Sequence, residues 1–333
     1  MRAQVIERFG GPDVFRSVDL PDPEVIPGHV LIRVAATSVN PVDTKIRSGV
    51  LAAIAPDMPA VLHGDVAGTI VAVGAGVDRF APGEDVYACA GGVKGLGGAL
   101  AGLMLADADL VARKPATLSM REAASLPLVT ITAWNGLVDR ARVRPGQTVL
   151  IHASTGGVGQ IGIQLAKWAG ATVFATGSSE EKLRIARELG AGVAINYREQ
   201  DVAAYVAEHT GGRGFDVVFD TVGGDNLARS FEAIALNGTV VCTAARTTAD
   251  LSPLHAKGAT LHVIFMLIPM LHRIGRARHG EILTEVARIA DEGAVRPLID
   301  PRTFTFDQVG AAHAHLESGQ AIGKVVLTND AAA

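Results

Sequence analysis

TVLIHASTGGVGQIGIQLAK, residues Thr148–Lys167, changes character twice within twenty residues. It opens on β-branched and aliphatic side chains, Thr148, Val149, Leu150 and Ile151, which favour an extended, buried strand. Small residues follow, and then apolar positions at Val158, Ile161, Leu165 and Trp168, spaced three, four and three apart, one face of a helix. Strand, glycine-rich turn and helix in that order make the first half of a dinucleotide-binding βαβ unit. Ala153, Gly156 and Gly159 stand at the fingerprint spacing, with Ala in place of the first Gly. Gly156 would let the backbone approach a pyrophosphate, and Gly159 would let helix and strand pack closely. The phosphates would sit on the free N–H groups and positive dipole end of the helix.

Outward from that stretch, strands and helices alternate from Gly146 onward, the pattern of a parallel sheet with crossovers. Strands are expected at Thr148–Ala153, Thr172–Thr176, Val193–Ile195, Asp216–Asp220 and Thr239–Thr243, with helices starting near Gly157, Ser179, Val202 and Asn226. Gly170 and Gly190 stand where helix ends are wanted. The earlier chain reads differently. Met1–Glu7, His29–Ala36, Val66–Val73, Asp85–Ala88 and Asp109–Ala112 are short β-branched runs broken by Pro and Gly, as in a small antiparallel barrel. Ala90–Gly102 holds six glycines in thirteen residues and reads as a flexible loop over a cleft. Ser119 and Glu122 form a capping box before a helical segment through Trp134–Val138. Beyond the sheet, helices at Glu281–Asp291 and Asp307–Leu316 and a strand at Lys324–Leu327 are too few for a third domain, so they return to complete the first.

Composition narrows the function. The chain has 333 residues, 48% hydrophobic and 19% charged, enough apolar side chain for two cores. A net charge of −4 and the lack of a Lys/Arg run argue against a nucleic-acid surface. Val263–Leu271, the most apolar run, falls short of the ~20 residues of a membrane span and reads as a buried strand or interface element. Arg2, Glu7 and Arg8 interrupt the N-terminal apolar residues before a signal-peptide core forms. With two cysteines, Cys89 and Cys242, a cytoplasmic chain with reduced thiols is the simpler expectation.

The second strand speaks to the cofactor. NAD-binding folds place a carboxylate at its end for the ribose hydroxyls, whereas this strand ends Ala175-Thr176-Gly177-Ser178. Lys182, one turn into the next helix, would meet a 2′-phosphate, and Ser178 would offer a hydroxyl. Ser178 and Glu181 also fit a capping box, compatible with that role. NADPH is therefore the expected cofactor.

Several motifs in order carry a resemblance: Asn40-Pro41-Val42-Asp43 with Arg47-Ser48-Gly49, His63-Gly64-Asp65-Val66-Ala67-Gly68, the segment His152–Tyr197 with Lys182 and Tyr197 fifteen apart, and Gly323-Lys324 near the end. Together they resemble the zinc-independent quinone oxidoreductase (zeta-crystallin-like) branch of the medium-chain dehydrogenase/reductase superfamily. The resemblance implies an α/β chain with a GroES-like β-rich catalytic domain over 1–122 and 262–333 and a doubly wound Rossmann domain over 123–261. It implies NADPH as hydride donor and a homodimer or homotetramer. Lys182 and Tyr197 would flank the 2′-phosphate. Gly157, Val158, Thr176, Gly177, Val222, Ala244, Phe265, Gly323 and Lys324 would line the cofactor, with Asn40 and Thr130 near the nicotinamide.

Zinc alcohol dehydrogenases share the superfamily, but their ligand positions hold Asn40 and Gly64 here, and two cysteines cannot build their four-Cys structural lobe. His313 and His315, two apart on a helix, do not face each other and read as surface and interface histidines. Without a metal, hydride addition to a quinone or enone leaves an oxyanion that calls for hydrogen-bond donors. Asn40 would supply an amide N–H, and Asp43 would orient the loop or the ribose, or simply serve the turn after Pro41. Lys45, where relatives often have Tyr, would hydrogen-bond a developing oxyanion if it faces the cleft or stand as an exposed loop lysine; Tyr87 is the other substrate-pocket candidate, while Tyr205 reads as core. Two other functions stay open: an NADPH-binding crystallin-like protein with little turnover, and an alcohol dehydrogenase.

Overall fold

The computed structural model describes residues 1–329. Contacts divide them into two units, Val129–Met266 with Ala294–Arg296, and the chain on either side of these segments.

The Rossmann unit is a six-stranded parallel sheet in the spatial order Val193–Asn196, Thr172–Gly177, Thr148–Ile151, Phe215–Asp220, Ile234–Cys242, Thr260–Val263. The chain runs outward one way, returns to the middle and runs outward the other way, so the order reverses beside Thr148–Ile151, where doubly wound sheets bind their ligands. Its strands are apolar on both faces because helices cover both. Leu150, Phe174, Phe215, Val218, Phe231 and Val240 form the core, and the Phe174 and Phe215 rings meet edge to face at 5.0 Å. Tyr205 belongs to this core, as its sequence context indicates. The helix Gly157–Trp168 buries Ile161, Ile163 and Leu165. Each such side chain contributes ~1.5–3 kcal/mol on leaving water.

The helix Glu180–Leu189 is capped by Ser179, whose Oγ accepts from the Lys182 N–H, and not by Ser178. The reason lies in the sheet: Gly177 still pairs with Asn196, so the chain turns one residue later than its composition indicates. The helix Pro127–Trp134 runs into a π-helical turn, Asn135–Arg140. There Gly136 lies against Phe219 and Val241, where a Cβ would come within 3.0 Å of either side chain.

The GroES-like unit holds a seven-stranded sheet and a three-stranded sheet. His29–Val39 is central to the larger one, pairing antiparallel with Asp65–Val73, Leu103–Asp107 and the returning strand Val325–Thr328. The C-terminal segments thus complete the first unit. The strand Leu103–Asp107 has no clear signature in the sequence.

Ala90–Gly102 corrects the reading of a flexible loop. Ala90 N–H donates to Gly64 O, Gly98 to Val61 O, Ala99 to His63 O and Leu100 to Leu62 O. A Cβ on Gly91 would overlap the Gly97 carbonyl, and one on Gly98 the Leu62 carbonyl. These glycines allow backbone to pack on backbone; they serve close approach, not mobility. Val263–Leu271 divides into the end of the edge strand Thr260–Val263 and the helix Ile268–His272. Leu267 and Met270 are buried, but Val263, Phe265 and Ile268 are exposed, so the run is not a single buried element. Among the described residues no helix is long and apolar enough to cross a membrane. Both cysteines are free and buried.

Candidate active site

In the Rossmann unit the turn after Ile151 has the shape a pyrophosphate needs. Ala153 adopts φ 54°, the left-handed conformation that the fingerprint's first Gly usually supplies. That turns its carbonyl toward the helix, and a Cβ on Gly159 would overlap this oxygen. Gly156 caps the helix without a side-chain hydrogen bond, leaving the first-turn N–H groups of Gly157, Val158 and Gly159 without a side-chain acceptor. Ser154 Oγ is buried with no partner, and so is Thr130 Oγ1 in the same unit. Unpaired buried hydroxyls are costly, and here one lies within an anion-receptive helix start. The residues present fit a dinucleotide.

His152 orients the same turn. Its Nδ1 lies 3.1 Å from Thr176 Oγ1. Burial lowers its pKa to about 4, against the opposing pull of Asp220. The ring is therefore neutral at pH 7 and adds no positive charge to the site.

Asp220, at the end of Phe215–Asp220, is fully buried and saturated. Oδ1 accepts from the Val222 and Gly223 N–H groups, both at 2.9 Å; Oδ2 accepts from Ser230 Oγ at 2.8 Å and Asn226 Nδ2 at 3.1 Å. This fixes the loop that leaves Val222 half exposed, and Gly223 packs against the Ala244 carbonyl. Val222 and Ala244, both expected at the cofactor, are thereby brought together beyond the carboxyl ends of neighbouring strands. Phe265 lies just past the next strand and is 46% exposed. Sequence reasoning missed Asp220, although a carboxylate two and three residues before free N–H groups is an Asx-turn signal.

No carboxylate stands at the end of Thr172–Gly177. The nearest, Glu180, pairs with Arg187 at 2.8 Å. Tyr197 N–H donates to Gly177 O at 3.3 Å, and the Tyr197 side chain is exposed. Lys182 rises from the first turn of the helix beyond Ser179 with no ion pair among the described residues. Lys182 and Tyr197 thus flank Gly177.

The GroES-like unit contributes a buried polar cluster. Asn40 caps the helix Pro41–Arg47 from extended backbone at φ −119°, and its N–H donates to Asp43 Oδ2 at 2.7 Å. Asp43 is therefore the helix-start carboxylate, and burial raises its pKa to about 7. Asn40 Nδ2 donates to Asp65 Oδ2 at 2.8 Å, and Lys324 Nζ donates to Asn40 Oδ1 and, at 3.2 Å, to Val39 O. Asp65 also accepts from Ser38 Oγ at 2.7 Å and from the Leu128 N–H at 2.8 Å. Burial lowers the Lys324 pKa, and Asp65 and Asp43 oppose that shift. The Lys324 ammonium, expected beside the cofactor, is engaged inward. Asp65 was absent from the expected site, because Ser38, Leu128 and Lys324 are far from it in sequence.

Three expectations need correction. Tyr87 is fully buried and its hydroxyl donates to Leu283 O at 2.6 Å, so it does not line a pocket; alternation along Asp85–Cys89 points it inward. His313 is no surface residue. Its Nε2 lies 2.8 Å from His63 Nε2, with Phe15 edge-on against the ring. His315 is also buried, its Nε2 3.0 Å from the Asp300 carboxylate. Lys45 is exposed on its helix. Among the described residues no group of three or more His, Cys, Asp or Glu side chains could hold a metal ion.

Comparison with known proteins agrees with this architecture. A family model described as "Alcohol dehydrogenase GroES-like domain" matches residues 26–116, and one described as "Zinc-binding dehydrogenase" matches residues 189–327. The chain is 33% identical over 335 residues to the NADPH-dependent alkenal/one oxidoreductase, chloroplastic, of Arabidopsis thaliana, covering 98% of this chain and 79% of that protein. An alcohol dehydrogenase superfamily protein from Novosphingobium aromaticivorans superposes with a TM-score of 0.94 at 43% identity, over 99% of this chain and 100% of the other. The Escherichia coli quinone oxidoreductase complexed with NADPH superposes with a TM-score of 0.87 at 27% identity, over 98% and 100%. In sequence and in fold alike, the chain is a member of the quinone oxidoreductase branch of the medium-chain dehydrogenase/reductase superfamily.

Proposed function

We propose that this oxidoreductase uses NADPH to reduce conjugated carbonyls, enones or quinones, without a metal. The observation that carries the reading is the end of Thr172–Gly177: no carboxylate to repel a 2′-phosphate, and an unpaired Lys182 and exposed Tyr197 on either side of Gly177. Bound NADPH supplies the hydride. The chain's own residues do the rest. The turn Ala153–Gly159 and the first N–H groups of its helix would hold the pyrophosphate, with Ser154 Oγ as a further donor. Asp220 keeps Val222 and Gly223 in place to shape the loop against which the dinucleotide would lie. A conjugated acceptor that receives hydride at carbon develops negative charge on oxygen, and Asn40 is the donor suited to that charge. Its amide engages one N–H with Asp65 and retains a second. The alkenal/one oxidoreductase and the quinone oxidoreductase named above act on acceptors of this class, which supports the reading.

The test is NADPH oxidation, with NADH alongside, against quinones, enones and simple ketones, with and without chelator. Chelator-insensitive turnover of conjugated acceptors, faster with NADPH, is expected. Tight NADPH binding without turnover would move the protein to the crystallin-like binding class. Stoichiometric zinc with oxidation of simple alcohols would make it an alcohol dehydrogenase.

A further inference from the structure

We infer that Lys324 and Asp65 act as a positioning pair that fixes the side-chain amide of Asn40, so that one defined N–H is left to meet the acceptor oxygen. The inference rests on the reductase reading and extends it to two residues that touch neither cofactor nor acceptor.

An asparagine amide has two ends of opposite polarity, and in isolation it can flip between two orientations. Around Asn40 only one is consistent. Lys324, a pure donor, faces Oδ1, and Asp65, an acceptor, lies 2.8 Å from Nδ2. Flipping the amide would set the ammonium against the NH2 group and the carboxylate against the carbonyl. The partners are themselves held. Lys324 Nζ also donates to Val39 O at 3.2 Å and lies 3.5 Å from Asp65 Oδ2. The Asp65 carboxylate takes Ser38 Oγ and the Leu128 N–H besides. Lys324 is 3% exposed, Asn40 1% and Asp65 0%, so these contacts are shielded from bulk solvent.

Both charges also act through the amide. An ammonium on the carbonyl oxygen draws electron density toward that oxygen and strengthens the N–H groups as donors, an effect that low local polarity enhances. The carboxylate binds the N–H that lies toward it. The second N–H has no acceptor among the described residues, which leaves it available as a donor. The ion pair is overall neutral, which allows its burial beside a site where negative charge develops.

The experiment separates this role from a structural one. Lys324→Gln should lower kcat with an enone roughly 10- to 100-fold while leaving the NADPH Kd within about twofold. Introduced into an Asn40→Ala background, the same substitution should change kcat less than about threefold, because the group it positions is gone. Should Lys324→Gln fail to fold, Asp65→Asn/Lys324→Gln removes both charges and leaves no unpaired buried ion; the same loss of kcat is expected. Independently of any variant activity, the two Asn40 side-chain amide protons of the wild-type protein with NADPH, assigned by their loss in Asn40→Ala, should exchange with solvent at markedly different rates, the one held by Asp65 being the slower. A raised NADPH Kd with unchanged kcat, additive losses with Asn40→Ala, or equally fast solvent exchange of both Asn40 amide protons would each overturn the inference. A locked Asn40 amide in a protein that turns over no conjugated acceptor would instead remove the reductase reading and leave the orientation standing.

Discussion

The turn Ala153–Gly159 and the cluster around Asn40 solve two binding problems in opposite ways. The turn is local: seven consecutive residues place backbone N–H groups, and most of its side chains are small or absent. The Asn40 cluster is non-local, drawing Ser38, Asp65, Leu128 and Lys324 from separate parts of the chain and working through charge. A site made of backbone shape tolerates no added atom, whereas a site made of buried charge tolerates no missing partner. Substitutions in the two regions should therefore fail differently.

The largest expected effect falls on the turn. Gly159→Val places atoms where the Ala153 carbonyl already stands. Backbone cannot give way as a side-chain end does, and overpacking of this kind costs about 1–3 kcal/mol or more. NADPH binding should be lost, at least about a hundredfold by titration of Trp fluorescence, with a clearly lowered Tm. A Gly159→Val protein that binds NADPH normally would show that the turn does not hold the pyrophosphate.

Next comes the cofactor's far end. A charge-assisted hydrogen bond is worth ~1.5–3 kcal/mol, so Lys182→Ala should weaken NADPH roughly 10- to 100-fold and leave NADH nearly unchanged. Equal losses for both cofactors would remove Lys182 from the 2′-phosphate.

These contrasts explain what could be read before the fold was known. The doubly wound sheet was legible because strand and helix periodicities repeat locally, and the turn because its glycines obey a spacing rule. The C-terminal return was legible by elimination. The glycines of Ala90–Gly102 misled, since composition cannot distinguish a glycine that gives freedom from one, like Gly98, that admits a neighbouring carbonyl. His313 misled for a related reason: helix spacing shows that His315 does not face it, but not that His63, some 250 residues earlier, does. Asp65 and Lys324 were legible as parts of motifs yet not as partners of Asn40, because charge pairing across a sheet leaves no periodic trace.

The GroES-like unit should also answer to acid. His63 and His313 are buried beside Thr37 and Phe15, with Arg47 and Lys324 adding positive potential. Burial first, then charge, lowers His63 well below 6.5 and His313 to about 3. The unfolded chain takes up these protons near pH 6.5 and the folded chain does not, so their stability contribution is present above that pH and is lost as pH falls below it. Asp43 works oppositely: its pKa of about 7 lies above the usual carboxylate value, so the folded state gains relative stability as pH falls toward the unfolded value of 3.8. A difference measurement isolates the histidine. His313→Phe should recover about 2 kcal/mol relative to wild type between pH 7 and 5, read from urea midpoints at each pH. Parallel pH curves for the two proteins would show that His313 is not held neutral.

The smallest effect sharpens the comparison most, because it asks whether the turn's one departure from an all-glycine fingerprint carries strain. Ala153 sits at φ 54°, where an L-residue's Cβ crowds its own carbonyl at about 1–2 kcal/mol. Ala153→Gly relieves that crowding and gives back part of the gain through the extra freedom of glycine in the unfolded chain. A net gain of about 0.5–1 kcal/mol is expected, seen as a small rise in Tm. The carbonyl that packs against Gly159 should keep its place, so the NADPH Kd should stay within about twofold. A loss of stability would mean that the Ala153 methyl is held by contacts worth more than its backbone strain. Weaker NADPH with unchanged stability would mean that the methyl, and not the turn's shape alone, touches the cofactor, and the division between a backbone site and a side-chain site would no longer hold.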